Sequence, residues 1–456
     1  MSEAHAKARV TKAARASERT KSTLFARLRR FHASQPVMVA ATVFTPTMLA
    51  ARTPGAGERF CHASSRVWIP PRKSYSGIRI TAVRRLLALT CALVLVDAIF
   101  YAALTPLVPY YDAELGLSKS AVGILSGAYG AGVLAGSAPG AYLASRAGVR
   151  VAALIGLTLL SITSLIFGLA ESVPLLVLAR FAGGIGSALS WVAAFTWLVG
   201  RAPEDRRGEM IGVMVSSAVF GALLGPVLGS VAATVGTFPA FAAVAVVGVL
   251  IALWAAVETV PEAEEPRPIL GELRAILKPR LATGLWLIGL SPLLFSALAV
   301  LVPLELGRLG WGAAAVGVVF LVSAAFEAVV HPLLGRWADR AGYWRPVRAG
   351  LFASIGILLV LPWTASPWLL GLLVVLAAGA FNAPLVPGTA LFSRGTEKAG
   401  MEGAVAFGIT NFAWASGYAV GAPLGGFLAD LRGDALSYFF LTAVCLATLL
   451  ALRRSV

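Results

Sequence analysis

Residues 301–342 read LVPLELGRLGWGAAAVGVVFLVSAAFEAVVHPLLGRWADRAG, and residues 107–148 read LVPYYDAELGLSKSAVGILSGAYGAGVLAGSAPGAYLASRAG. At an offset of 194, Leu107-Val108-Pro109 recurs as Leu301-Val302-Pro303 and Leu115-Gly116 as Leu309-Gly310. Ala121-Val122-Gly123 recurs as Ala315-Val316-Gly317, and Arg146-Ala147-Gly148 as Arg340-Ala341-Gly342. One offset kept through four matches marks an internal duplication. Each copy holds an apolar stretch of about 20 residues, the length a helix needs to cross a bilayer with its backbone hydrogen bonds satisfied internally.

Twelve segments pass the same test. They are 86–108, 121–143, 151–170, 175–199, 209–234 and 239–258, then 282–304, 313–334, 347–364, 368–392, 404–428 and 436–452. The offset spans six of them, an even number, so the two halves keep one orientation, as in carriers whose halves rock about a central site. The expected organisation is a basic extension at 1–83, a six-helix half at 84–259, a linker at 260–281 and a second six-helix half at 282–456.

Composition agrees: 58% of the 456 residues are apolar and 13% are charged, against roughly 25% charged in soluble proteins. The net charge of +16 would suggest a nucleic-acid partner in a soluble domain, but its location argues otherwise. Residues 1–83 hold 15 Lys/Arg and 3 Asp/Glu, whereas 84–456 hold 23 and 19. With the N-terminus placed in the cytoplasm, 19 of those 23 fall in inner loops; only Lys119, Arg308 and Arg432 fall outside, and Arg180 lies within a segment. That asymmetry is the positive-inside signature and puts both termini in the cytoplasm. Trp311, Trp363 and Trp368 then lie at outer helix ends and Trp337 and Trp344 at inner ones, as interfacial anchors do. Three cysteines (Cys61, Cys91, Cys445) and four histidines are too few for a disulfide framework or a metal cage. No metal, cofactor or nucleic acid is therefore expected.

The extension is rich in Arg, Ala, Ser and Thr and poor in acids. That composition fits a transit peptide, a disordered basic arm, or an upstream start that translates non-native sequence; with Met38 and Met48 as other starts, it reads as dispensable or misassigned.

Gly335-Arg336-Trp337-Ala338-Asp339-Arg340-Ala341-Gly342 has the form G-x-x-x-D-R-x-G. Gly212, Gly221, Gly225, Pro226 and Gly229 fit G-x8-G-x3-G-P-x2-G-G, with Ser230 in the last place. With these motifs residues 84–456 resemble the major facilitator superfamily, and within it the drug:proton antiporter branch with twelve spans. The resemblance implies an all-α bundle of two six-helix halves related by a pseudo-twofold around a central cavity. The implied partners are the lipid bilayer, a small-molecule substrate and protons, and the implied form is a monomer in the plasma membrane that works without enzymatic chemistry.

The family's loop motif is where helices are held together or released; a helix-end Asp flanked by Arg and Gly suits that role. Gly335, Asp339, Arg340 and Gly342 carry it in the second half. In the first half Ala141 and Ser145 replace the Gly and Asp, leaving Arg146 and Gly148. Gly221, Gly225, Pro226 and Gly229 give a flat, bent helix face suited to close packing or to the conformational switch, and Gly417, Gly421, Pro423, Gly425 and Gly426 echo it.

Charges within membrane helices are functional candidates by default. Asp97 precedes Thr105-Pro106-Leu107-Val108-Pro109-Tyr110, a run like the branch's first-helix signature. A carboxylate in a poorly hydrated cavity takes up a proton more readily than in water; the alternative is a helix-end acid solvated from inside. Arg180 opens R-x-x-x-G, ending at Gly184, a pattern the family associates with proton transfer, and it is expected to act on Asp97 or to snorkel outward. Glu327 and His331, four apart and thus on one helix face, can relay a proton, hold a cationic substrate, or simply bond between helices. Phe100, Tyr101, Trp191, Trp286 and Trp414 are candidate cavity aromatics. The expectation is proton-driven efflux of small lipophilic or drug-like molecules by alternating access. The alternatives are a facilitator or symporter for a sugar, metabolite or siderophore, and a non-transporting receptor.

Overall fold

The computed structural model describes residues 76–203, 206–258, 279–398 and 403–453. The extension up to residue 75, with Cys61, and the linker residues 259–278, with Arg267, Arg274 and Lys278, lie outside the described residues.

The first crossing is α1 (Ser76–Ala102) followed by α2 (Leu104–Leu115). Next come α3 (Lys119–Arg146), α4 (Val149–Leu169), α5 (Val173–Arg201), α6 (Arg207–Val235) and α7 (Thr237–Val257). The second half holds α8 (Pro279–Arg308), α9 (Ala313–Ala341) and α10 (Trp344–Val360), the last continued by a 3-10 turn at Leu361–Trp363. It ends with α11 (Pro367–Asn382), α12 (Leu385–Lys398), α13 (Gly403–Arg432) and α14 (Asp434–Arg453). Among the described residues eleven helical stretches are long and apolar enough to cross a bilayer. The twelfth crossing, α13, is 30 residues long, but Thr410, Asn411, Ser416 and its glycines dilute its apolar character.

Two crossings expected as single helices are broken. Pro106 has no N–H for the carbonyl of Ala102, and the chain breaks at Ala103 before α2. Pro384 likewise has none for Ala380, and α11 gives way to α12 around it. Proline in a helix interior removes one bond and crowds the carbonyl four residues back, and membrane bundles tolerate this where neighbours re-satisfy the freed groups.

In lipid, association of helices rests on close van der Waals packing, and glycine seams provide it. A Cβ on Gly221, Gly225 or Gly229 of α6 would strike Leu95 O, Ala102 or Ala103 O of the first crossing. A Cβ on Gly417, Gly421 or Gly425 of α13 would strike Gly289 O, Leu293 O or Ala297 of α8. Leu95 and Gly289 are 194 apart, as are Ala103 and Ala297, so the duplication carries the seam. The turn glycines are duplicated too: Gly148 and Gly342 have φ of 92° and 83°, a region glycine enters without a Cβ clash, which explains why both loop motifs keep a final Gly. On the outside, Val246, Leu250, Leu253 and Val257 of α7 are more than half exposed, a face that acyl chains cover and water would not tolerate.

Away from the arginine-rich end the halves are locked together. Asp430, at the end of α13, accepts from the backbone N–H groups of Lys119 (3.2 Å) and Ser120 (2.8 Å). It thus caps α3, which belongs to the other half, at its positive terminus. Lys119 also pairs with Asp434, and the Ser230 hydroxyl donates to Ala313 O at 3.2 Å. Ser230 is the residue that replaces the expected glycine.

Two outcomes follow from this packing. Gly225→Leu inserts a side chain where Ala102 already sits, and overpacking of about 1–3 kcal/mol is expected to lower the thermal unfolding midpoint of detergent-solubilised protein; an unchanged midpoint would refute the seam. Asp430→Ala removes a half-to-half clamp worth about 1 kcal/mol at this exposure, or roughly a fivefold change in population ratio. Spin labels at exposed positions 114 and 432 should then show a longer second distance that the parent lacks.

Candidate functional site

Between the halves lies a cavity of about 390 Å3. Its walls come from α1, α3, α5 and α6 on one side and α8, α9, α11, α12 and α13 on the other. Asp97 and Glu327 line it, together with His331, Asn382, Asn411 and Thr410 and a group of aromatic residues; no Lys or Arg does among the described residues.

Asp97 is 2% exposed, so it is not a solvated helix end. Oδ1 accepts from the Tyr129 hydroxyl at 2.8 Å, and Oδ2 accepts from the Ser187 hydroxyl at 2.8 Å and Trp191 Nε1 at 2.9 Å. Two helices supply these donors: Tyr129 sits on α3, and Ser187 and Trp191 sit on α5, four apart and so on one face. A buried carboxylate keeps its charge only with such partners.

Arg180 stands one step behind. It is buried and not ion-paired with Asp97 among the described residues. Instead it donates to Phe100 O (3.0 Å) and Tyr101 O (3.1 Å), carbonyls in the last turn of α1. A guanidinium suits that place because its fork reaches two acceptors and its charge meets the negative helix end. Its Cζ lies 4.8 Å from the Tyr129 ring centroid and 5.4 Å from that of Phe100. Tyr129 thus touches both groups, with its hydroxyl on Asp97 and its ring under Arg180. The alternative of an outward-snorkelling Arg is corrected: the carbonyls of Phe100 and Tyr101 hold it inside.

Tyr101 meets Tyr129 at 5.2 Å, Tyr418 at 5.2 Å and Trp414 at 5.6 Å, and Trp414 stacks on Tyr418 at 5.5 Å. Phe100 meets that group at Tyr129, 6.4 Å away, but does not line the cavity. It is wholly buried in the first half, edge-on to Phe167 and Phe241 at 6.0 Å each. Its helix position, next to Tyr101, points it to the opposite side, so its expected place in the cavity is corrected. Trp286 is also elsewhere, half-exposed and donating to Thr448 at 3.1 Å. Trp191 lines the cavity and stacks on Phe407.

Glu327 and His331 share a face of α9, with Oε1 and Nε2 3.4 Å apart. Ser291, which occupies the position of Asp97 at the repeat offset, is hydrogen-bonded to Asn382. Neutral groups thus replace the carboxylate in the second half. The switch candidates lie apart from the cavity. Asp339 and Arg340 are exposed and form no ion pair among the described residues, Arg146 rests over Tyr142 at 5.7 Å, and Ser145 bonds its own helix at Tyr142 O, 2.8 Å away. Gly221, Gly225 and Gly229 form the seam on the first crossing, and Pro226 also lines the cavity.

Sequence reading missed Tyr129, Ser187, Tyr418 and Asn382. A usable signal existed for α5: Arg180, Ser187 and Trp191 recur at seven and eleven residues, one face of a helix.

Known proteins place this architecture. Residues 90–422 match the profile of the Major Facilitator Superfamily. A chloramphenicol resistance protein of Streptomyces lividans is 29% identical over 361 residues, covering 75% of this chain and 90% of that relative. A bacterial homologue of the human lysosomal transporter Spinster, solved in an inward-facing and unoccupied conformation, superposes with a TM-score of 0.64 at 18% identity, over 78% of this chain and 83% of that one. The nucleoside transporter NupG gives 0.66 at 12% identity, over 81% and 98%; at such identities the two structures speak for the fold alone. The duplicated bundle, the central cavity and the match across most of the chain lead to one conclusion: this chain belongs to the Major Facilitator Superfamily and is a membrane carrier, not an enzyme.

Proposed function

We propose that the chain exports small lipophilic molecules of the chloramphenicol kind in exchange for protons, by alternating access, and that Asp97 is the group that takes up and releases the proton. The observation that carries this reading is the carboxyl of Asp97, set in the cavity wall with three neutral donors and no ion-pair partner among the described residues. The similarity to a chloramphenicol resistance protein supports the choice of substrate and direction.

Hydrogen-bond chemistry indicates how protonation is read. The Trp191 indole can only donate, whereas the Tyr129 and Ser187 hydroxyls can donate or accept. Oδ2 therefore keeps its two donors, and the proton goes to Oδ1. The Tyr129 hydroxyl must then turn from donor to acceptor, and its ring lies under Arg180 and against Tyr101. Charge loss at Asp97 is passed in this way to the aromatic wall and to the guanidinium that holds the α1–α2 break.

The proposed orientation puts the arginine-rich end, and both termini, in the cytoplasm of a cell whose plasma membrane holds the carrier as a monomer. The two working bodies are residues 84–259 and 282–456, joined by 260–281. Asp339, Arg340, Gly335 and Gly342, with Arg146 and Gly148, serve the switch at that end, while Asp430 and Lys119 latch the opposite one.

The decisive measurement is chloramphenicol flux in proteoliposomes against an imposed pH gradient. Parent protein is expected to accumulate the drug in the gradient's direction, and Asp97→Asn to retain less than a tenth of that gradient-driven rate. If Asp97→Asn kept the parent rate, or parent flux ignored the gradient, exchange at this carboxyl would be wrong. A facilitator would show the second result together with normal counterflow.

A further inference from the structure

A second hollow, of about 670 Å3, lies away from the central cavity. It opens at the arginine-rich end between α1, α5 and α6, wholly within the first half. Its lining divides by depth. Arg84 in α1, Arg201 at the end of α5 and Arg206 just ahead of α6 stand at the loop end. Leu87, Met210 and Val213 line it about one or two helical turns further in. The acid in the lining, Glu209, is already answered, since Arg206 Nε and Nη2 donate to its two oxygens at 3.0 and 2.9 Å. Arg84 is exposed and has no ion pair among the described residues.

A pocket that is cationic at one end and apolar below suits a molecule divided in the same way. Guanidinium forks match pairs of phosphate oxygens, and arginines at a membrane surface attract anionic lipids. The apolar part also continues outward. Val213, Phe220, Val227 and Val231 are exposed on α6 at spacings of seven, seven and four, which is one face of the helix. A lipid whose phosphate sits at the arginines therefore has a track for its chain along that stripe. The chain's own basic extension is the wrong occupant, because residues 1–83 carry 15 Lys/Arg against 3 Asp/Glu. The pocket's charges are not part of the duplicated scaffold either: at the offset of 194, Gly395 and Gly400 stand where Arg201 and Arg206 do.

We propose that this pocket binds an anionic phospholipid, its phosphate held by Arg84 and Arg201 and a chain laid along Val213 and Phe220. The lipid then ties α1, α5 and α6 together at their arginine-rich ends. The site is separate from the central cavity and needs no proton coupling, so it stands or falls independently of the exchange reading.

The test is native mass spectrometry of the full-length carrier, delipidated in detergent and titrated with dioleoylphosphatidylglycerol. Dioleoylphosphatidylcholine serves as the zwitterionic lipid with the same chains, and glycerol phosphate as the headgroup without chains. Parent protein is expected to take up phosphatidylglycerol in preference to phosphatidylcholine. Arg84→Gln should weaken its apparent Kd about fivefold, and Arg84→Gln combined with Arg201→Gln about twenty-fivefold, the scale of one surface arginine each. Arg345→Gln combined with Arg348→Gln removes as much charge from the same end of the other half and should leave that Kd unchanged. A parent-like melting curve in lipid-free detergent shows that each variant is folded; if the Arg201 variant fails it, Arg84→Gln alone decides, since that side chain is exposed and outside any ion pair among the described residues. Equal affinity of the parent for the two lipids, or equal weakening by the two double variants, overturns the site. Displacement of the lipid by glycerol phosphate overturns it as well, in favour of a site for free phosphate esters.

Discussion

The contact on which the bundle depends is backbone against backbone along two glycine seams. Lipid tails are as apolar as leucine, so no hydrophobic force drives helices together within the bilayer; close packing must do so. Where α6 meets the first crossing, and α13 meets α8, the approach leaves no room for a Cβ at Gly221, Gly225 and Gly229 or at Gly417, Gly421 and Gly425. Small residues concentrated on these seams release the bulky ones for other surfaces. Tyr101, Trp414 and Tyr418 gather at the cavity, while Phe167 and Phe241 fill the first half. The cavity is in that sense what remains when two tight seams set the helix axes and large side chains line the space between.

The seam also determines where polar chemistry can sit. Ala102 and Ala103, pressed against Gly225 and Gly229, mark the break in the first crossing, just after the carbonyls of Phe100 and Tyr101. Arg180 fills them. A permanent cation inside the first half thus has a structural task beside its electrostatic one. Pairing it directly with Asp97 would leave the carbonyls of Phe100 and Tyr101 without their guanidinium donor; holding the two apart keeps both satisfied and leaves the carboxyl's charge free to change.

The spans, the duplication and the sidedness of charge were legible in the sequence, because each is a one-dimensional pattern: apolar length, repeated offset, loop composition. Most helix limits moved by a few residues, the first crossing began ten residues earlier than expected, and the two crossings that proved broken are broken close to a proline. The candidate site was legible only in part. Asp97 and Arg180 were conspicuous as buried charges, yet their partners were not, since Tyr129, Ser187 and Trp191 are ordinary in membrane helices until rotation brings them to one carboxyl. Phe100 and Tyr101 are adjacent in sequence and therefore cannot share a helix face; periodicity alone could have separated them, but not told which one faces the cavity.

The duplication makes the remaining asymmetry informative. Seams and turn glycines are kept in both halves, while the helix breaks and the ionisable chemistry are not. Asp97 answers to Ser291, Arg180 to Val374, Tyr129 to Ser323, and Glu327 to Val133. Ser291 and Asn382 show the second half's solution, a neutral hydrogen bond where the first half keeps a carboxylate and its donors. Equivalent seams with different charges let the halves pack alike while, among the described residues, only the first keeps a buried carboxylate and a buried guanidinium. On the proposed exchange, a change of charge at Asp97 is felt first by Tyr129, Ser187 and Trp191, all in the first half. The donors of this carboxyl have no ionisable counterpart across the repeat, so under that proposal protonation acts on one half of the bundle and not on both.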